Sequence, residues 1–434
     1  LFRYDRHTQP GVRYVCVQQA KHNDNKTRGN PTMRTPRLER DRQQWIFDYI
    51  VQETGKVFHW DEEARTLPKS VKSHAQISKH LGKLAQRLER VAGEEDAAGH
   101  SATAFELYYR ASVNYALAQH PVLETNDEKR YLHGKCISTY EKVMEHSPYP
   151  MERVEIPFEG VELQCNFHMQ PGKPKAPTVI YIPGCDMTKE VYPDPRVNPA
   201  HLRGMHMLCM DGPGQGTGNL RGIKLTHDNY ERAIIAVIDW LETRDEVDPE
   251  GITIYALSMG SFWGLQAAAT GDPRIKAVVG PWASYTDKSY ILDMYSPRYK
   301  QLFGYLTGAE SEAELDEMVA KMTVEGREAD IKCPVLLTVG EYDSRSPNEL
   351  IYNFYDKINA PKEIWVYEDT FHQGRLFGGD SSRYDCHMMC MDWLVDALGG
   401  KFAAGHDRKM FLRNGGGGPN GNQGEGQDSL HWWE

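Results

Sequence analysis

What this 434-residue chain lacks narrows its class before any motif is considered. It has no excess of positive charge: 50 Lys and Arg stand against 61 Asp and Glu, a net charge of −11, which leaves no electrostatic footprint for a nucleic-acid partner. No apolar run reaches the length of a membrane span, and no signal-peptide pattern opens the sequence. The eight cysteines are scattered, without the paired C-x-x-C spacing of a metal site or a disulfide framework. Cys386 and Cys390 are one helical turn apart, but His387 beside them points elsewhere, so no metal is expected there. There is no internal repeat of fixed period. These absences predict a cytoplasmic protein with reduced thiols, no cofactor, no nucleic-acid partner and no membrane contact.

Both ends lack hydrophobic patterning. Residues 1–35 are polar and basic, do not begin with Met, and read as a disordered stretch or extension; residues 401–434 read as a Gly-rich tail that buries no core. Between them the length suffices for two domains, since single cores stop growing near roughly 250–300 residues. Residues 36–148 carry apolar positions at helical spacing, Leu81, Leu84, Leu88 and Val91 forming one face, and predict a helical cap domain. Its amphipathic helices offer a surface for a homodimer. Residues 149–400 alternate strand and helix signals, with a helical excursion over 284–327.

The densest signal lies at Ser258. Ile252-Thr253-Ile254-Tyr255 reads as a buried strand, Ala256-Leu257-Ser258-Met259-Gly260 as a turn, and Ser261 to Thr270 as an Ala-rich helix. This is the context of a nucleophile elbow, whose tight turn needs nearly side-chain-free residues two before and two after the serine. Ala256 stands where Gly is usual. Downstream, the apolar run Cys333 to Gly340 predicts a strand that delivers Asp343 at its end. A second strand over Glu363 to Tyr367 precedes a loop with His372. Glu341 and Asp369 are alternatives to Asp343, and His387 is the competitor of His372. The order nucleophile, acid, base is that of the α/β-hydrolase fold, a mostly parallel doubly wound sheet.

Upstream, Pro177 to Ile182 predicts a strand running into Pro183-Gly184-Cys185-Asp186, where the fold turns a backbone N–H toward a developing oxyanion. Cys185 and Met259 are the expected oxyanion-hole amides. The turn Asp211-Gly212-Pro213-Gly214-Gln215-Gly216 has neither the Lys-Ser/Thr pair nor the G-x-G-x-x-G spacing of a phosphate loop. It reads as a structural loop at the rim, with Asp211 and Gln215 as its possible ligand contacts. Trp282 and Tyr285 open an aromatic stretch that suits a bulky, hydrophobic or conjugated small molecule; with Asp186 and Asp287 they are the candidate substrate-binding residues.

Ile182 to Glu190, Met210 to Gly216 and Ala256 to Gly260 together resemble the FrsA-like α/β-hydrolases, a branch that includes dihydroxypseudooxynicotine hydrolase and hydrolases of the fusarin, pseurotin and cytochalasan clusters. The resemblance covers roughly residues 40 to 400, and Thr188-Lys189-Glu190 with the DGPGQG turn is its most specific part. It implies an N-terminal helical cap and a triad that falls on Ser258, Asp343 and His372. It also implies a polyketide or polyketide-peptide substrate from secondary metabolism. The expected reaction is attack of Ser258 on an ester, thioester, amide or activated ketone through an acyl-enzyme. The alternatives are acyl transfer or ring closure on the same triad, a non-covalent cyclase or isomerase that does not use the serine, and a binding protein without activity.

Overall fold

The computed structural model describes residues 71, 73–284, 292–293, 297–343, 345–372, 385–413 and 418–420, within a compact unit spanning 36–434. Three helices come first: α1 (His74–Ala97), α2 (Ser101–Gln119) and α3 (Asp127–His146). They share a core that includes Ile77, Leu81, Phe105, Tyr115, Leu132 and Tyr140. α3 has a defined start, because the Asn126 side chain accepts the Lys129 N–H at 2.9 Å and Asp127 and Glu128 face the positive helix end. The expected apolar face of α1 is corrected. Leu84 is 38% exposed, and the buried stripe runs through Ile77, Leu81, Ala85 and Ala92. Packing follows the i+4 row from Leu81, which the small side chains on the next turns let α2 approach.

The strands are β1 (Met151–Phe158), β2 (Val161–His168), β3 (Ala176–Ile182), β4 (His206–Met210), β5 (Val247–Ala256), β6 (Val278–Gly280), β7 (Val335–Gly340), β8 (Lys362–Tyr367) and β9 (Asp407–Leu412). They form one sheet in the order β1-β2-β4-β3-β5-β6-β7-β8-β9. β2 pairs antiparallel with β1 and β4, and every other pairing is parallel. The later helices are α4 (Gly216–Leu220), α5 (Asn229–Leu241), α6 (Met259–Ala268), α7 (Pro297–Thr307), α8 (Glu312–Ala320), α9 (Asn348–Lys357) and α10 (Asp385–Leu398).

Helices on both faces bury the sheet twice, which is why β3, β7 and β8 read as near-continuous apolar runs rather than as alternation. Ile180, Ile254, Val278 and Leu337 share a core with α5 and α6. Their neighbours Tyr181, Tyr255, Val279 and Leu336 share one with α10. This is the doubly wound plan expected from the motif order.

β9 corrects the expected end of the sheet domain at residue 400. It pairs in parallel with β8, from Lys362↔Asp407 to Tyr367↔Leu412. Half of it is Asp-Arg-Lys, as suits an edge strand that must not invite further pairing, so it shows no apolar run. The parts of residues 1–35, 36–148 and 401–434 that fall in 1–70, 72, 414–417 and 421–434 lie outside the described residues.

The three-helix layer is fastened to loops that follow parallel strands. The Tyr109 hydroxyl donates to the Val191 carbonyl at 2.9 Å, after β3, and His133 meets the Thr217 hydroxyl of α4 at 2.9 Å. Among the described residues no helix is long and apolar enough to cross a membrane.

Candidate active site

Parallel strands deliver their following loops to one edge of the sheet, and the chemistry-bearing residues gather there. Ser258 sits between β5 and α6 with φ 52 and ψ −125, a backbone conformation that L-residues rarely hold. The turn is closed by hydrogen bonds from Ser258 N–H to the Pro281 carbonyl at 3.0 Å, from Gly260 N–H to Leu257 at 2.7 Å and from Ser261 N–H to Ser258 at 2.8 Å. Gly260 is required: a Cβ there would lie 2.6 Å from the Ile182 carbonyl oxygen and 2.7 Å from that of Pro183. The methyl of Ala256, in place of the usual glycine, is accommodated by Gly264 on α6, where a Cβ would come within 3.0 Å of it.

His372 Nε2 lies 2.7 Å from Ser258 Oγ, and its Nδ1 lies 2.7 Å from Asp343 Oδ2. A carboxylate can only accept, so Nδ1 carries the ring proton and Nε2 presents a lone pair to the serine hydroxyl. Asp343 is buried, and its other oxygen accepts the Arg345 N–H at 2.9 Å. The two alternative acids are placed elsewhere. Glu341 accepts the Asp369 N–H at 2.9 Å, which uses both residues to shape the loop that carries His372. His387 is buried on α10 with Nδ1 against the Tyr255 hydroxyl.

Two features bring His372 to the serine. A Cβ on Gly340 would lie 1.7 Å from the Phe371 carbonyl oxygen, so the loop passes over the end of β7 where only glycine leaves room. Trp282, after β6, also has a positive φ of 54, a strained state for a bulky residue that costs about 1–3 kcal/mol. Its backbone N–H donates to the Thr338 hydroxyl at 3.2 Å, and its ring centre lies 6.4 Å from that of His372. Trp282 therefore stands beside His372. Tyr285 and Asp287 lie outside the described residues.

The loop after β3 approaches from the other side. A Cβ on Gly184 would lie 3.4 Å from both Ser258 Cβ and Asp186 Oδ1, which puts Cys185 and Asp186 next to the serine. Met259 opens α6, where the first N–H groups of a helix have no intrahelical partner. Burial pushes the Cys185 thiol well above its usual range, so the sulfur stays protonated and only the backbone is chemically available. Gln215 holds this loop: its Nε2 donates to the Gly184 carbonyl at 2.7 Å, while its Oε1 accepts from the Tyr230 hydroxyl at 2.5 Å. The sequence reads this turn as a structural loop at the rim, but nothing in it pairs Gln215 with Gly184.

Behind the loop is a buried ionic knot. Lys189 Nζ lies 2.9 Å from Asp211 Oδ2 and 2.8 Å from Glu190 Oε1, with all three side chains fully buried. Burial alone would lower Lys189, but the two carboxylates hold it above its ordinary value; Lys189 in turn holds Glu190 down to about 2 against the effect of burial. Asp211 also accepts the Lys189 and Thr217 N–H groups. The Thr188-Lys189-Glu190 and DGPGQG motifs are thus one structural unit. Among the described residues no cluster of His, Cys, Asp or Glu is arranged to hold a metal ion.

The model of the FrsA-like esterases matches residues 82–285 and that of the acetyl xylan esterases matches 227–381. The chain is a hydrolase of the α/β-hydrolase type, similar over residues 82–285 to the FrsA-like esterases. This hydrolase is 28% identical over 323 residues to 2,6-dihydropseudooxynicotine hydrolase of Paenarthrobacter nicotinovorans, covering 73% of this chain and 83% of the relative. It is 26% identical over 366 residues to the α/β-hydrolase ucsC of Acremonium sp, covering 67% and 74%. A crystal structure of 2,6-dihydroxy-pseudo-oxynicotine hydrolase shares its fold, with a TM-score of 0.68 at 24% identity over 82% of this chain and 97% of that one.

Proposed function

We propose that this hydrolase works through an acyl-enzyme on Ser258, with His372 as general base and acid and Asp343 as the group that orients it. The observation that carries this reading is the unbroken chain from Ser258 Oγ through His372 to Asp343, with both links at 2.7 Å. Attack of Oγ on a substrate carbonyl carbon moves the hydroxyl proton to Nε2. The Cys185 and Met259 N–H groups receive the negative charge on the carbonyl oxygen, and His372 returns the proton to the leaving group. Water, deprotonated by the same imidazole, then releases the acid. Asp186 and Trp282 border the reacting carbonyl, and the three-helix layer acts as a cap.

The substrate class we infer is a polyketide or polyketide-peptide intermediate of secondary metabolism. Three things support it: the family resemblance, fungal α/β-hydrolases among the relatives, and an aromatic wall suited to a conjugated small molecule.

Intact mass after treatment with a fluorophosphonate tests the mechanism. The native protein is expected to gain one adduct and Ser258→Ala none. A folded native protein that gains none would remove the acyl-enzyme and leave acid–base chemistry without the serine.

A further inference from the structure

Polar groups that the reaction above does not use line a cavity of about 30 Å³ between α2, α3, α7 and the loop after β3. That is room for a small polar group or one or two waters. Gln119, at the end of α2, is 2% exposed. Neither its Oε1 nor its Nε2 has a hydrogen-bond partner among the described residues. Thr188 Oγ1, on a residue 8% exposed, is likewise without one. Lys129 borders the same space, with its ammonium 3.1 Å from the Gln119 carbonyl oxygen and 4.9 Å from the Tyr305 ring centre. Burial, and then the charges of Arg298 and Lys224, lowers it to about 7, a state that an acceptor on a ligand would relieve. Asp186 and Cys185 also line it, on the loop whose Gly184 approaches Ser258.

The cavity constrains what can enter it. A buried side-chain amide with both ends open asks for an acceptor and a donor side by side. The Lys129 ammonium offers the acceptor a further donor. A hydrocarbon would leave both ends of the Gln119 amide unsatisfied, which is costly in a dry site. A free carboxylate would satisfy Lys129 and the Gln119 Nε2 but brings no donor for the Gln119 Oε1. The edge of a carboxamide or lactam, O=C–N–H, satisfies both sides.

We propose that this cavity is a subsite for a carboxamide or lactam edge on the substrate, close to the carbonyl that reacts, and that Gln119 determines this specificity. The proposal deepens the acyl-enzyme reading and rests on it for the placement of the reacting carbonyl.

The test uses the full chain carrying Ser258→Ala, so that an ester binds without turnover. Calorimetry compares benzyl pyroglutamate, which presents a lactam, with benzyl cyclopentanecarboxylate, which has the same ring size without the amide. The lactam is expected to bind at least about tenfold more tightly, and Gln119→Leu to reduce that preference to about twofold or less. Thr188→Val, which changes the shape less, is expected to weaken it in the same direction. Without ligand, Gln119→Leu should also melt higher, since it removes an unsatisfied buried amide. Equal affinities, a preference that survives Gln119→Leu, or a lower melting temperature would overturn the proposal; the last would assign the amide to buried water. Fluorophosphonate labelling of the native chain separates the two readings. Labelling of the native chain with no lactam preference in the Ser258→Ala chain that retains Gln119 rejects only the subsite, and lactam preference there without labelling of the native chain rejects only the acyl-enzyme.

Discussion

At the scale of single residues the site rests on groups that cannot exchange roles. Asp343 accepts from Nδ1 of His372; an asparagine of the same shape offers an amide that donates there and drives the proton to Nε2. Asp343→Asn is therefore expected to lower kcat on an activated ester such as p-nitrophenyl acetate by about 10⁴-fold, with KM little changed. A loss below tenfold would move the orienting role to another acid. Gln215 acts one step removed, through the Gly184 carbonyl it holds at 2.7 Å. In Gln215→Ala the loop carrying the Cys185 N–H loses that hold, and kcat should fall by up to about a hundredfold, the scale of a 1 Å misplacement. The Tyr230 hydroxyl loses its acceptor as well, at a cost of about 1–3 kcal/mol in urea unfolding. A stability loss without a kcat loss would show that Gln215 serves only Tyr230.

At the scale of elements, the site is a product of where strands stop. β3, β5, β6 and β7 end at Ile182, Ala256, Gly280 and Gly340, and each is followed by a residue that faces the reaction centre. Gly340 carries the most consequence, since the His372 loop crosses it with no space for a methyl group. Gly340→Ala is expected to abolish fluorophosphonate labelling while α-helical circular dichroism is retained; labelling at the native rate would mean the loop reroutes without moving His372. The elbow, the strands β3, β5, β7 and β8 and the helical spacing of the residues before β1 were legible because each buries a periodic or continuous apolar pattern, and the meeting of Ser258, Asp343 and His372 because each follows a strand-ending signal. β9 was not, since an edge strand with Asp407, Arg408 and Lys409 hides its own period. Nor was the buried face of α1, because Leu81 has apolar neighbours at both i+3 and i+4 and only packing against α2 and α3 selects one row. The roles of Gln119 and Gln215 depend on contacts 15 and 31 residues distant in the case of Gln215, and on a cavity lined from several separate segments in the case of Gln119. No local pattern encodes either.

At the scale of the whole molecule, the three-helix layer and the sheet are held together by buried neutral groups, and this makes their union sensitive to acid. His133 on α3 reaches Thr217 on α4, and His168 on β2 sits between the hydroxyls of Tyr140 on α3, at 3.3 Å, and Tyr149, at 3.1 Å. Burial, assisted at His133 by the Lys189 ammonium, lowers both imidazoles to about 3. The unfolded chain titrates them at the ordinary value of 6.5, so between 6.5 and 3 it binds protons that the folded chain refuses. Stability from these two groups is fully present above pH 6.5 and is lost as the pH falls toward 3, by about 1.4 kcal/mol per pH unit for each histidine. The window between pH 6.5 and 5 lies above the ordinary range of carboxylates, which separates the histidines from acid effects on Asp and Glu. Urea midpoints measured across that window are expected to fall steadily in the native protein and less steeply in His168→Phe, whatever the absolute stability of the variant. An unchanged slope would mean that His168 is protonated in the fold and that the layer is joined to the sheet by a charged histidine instead.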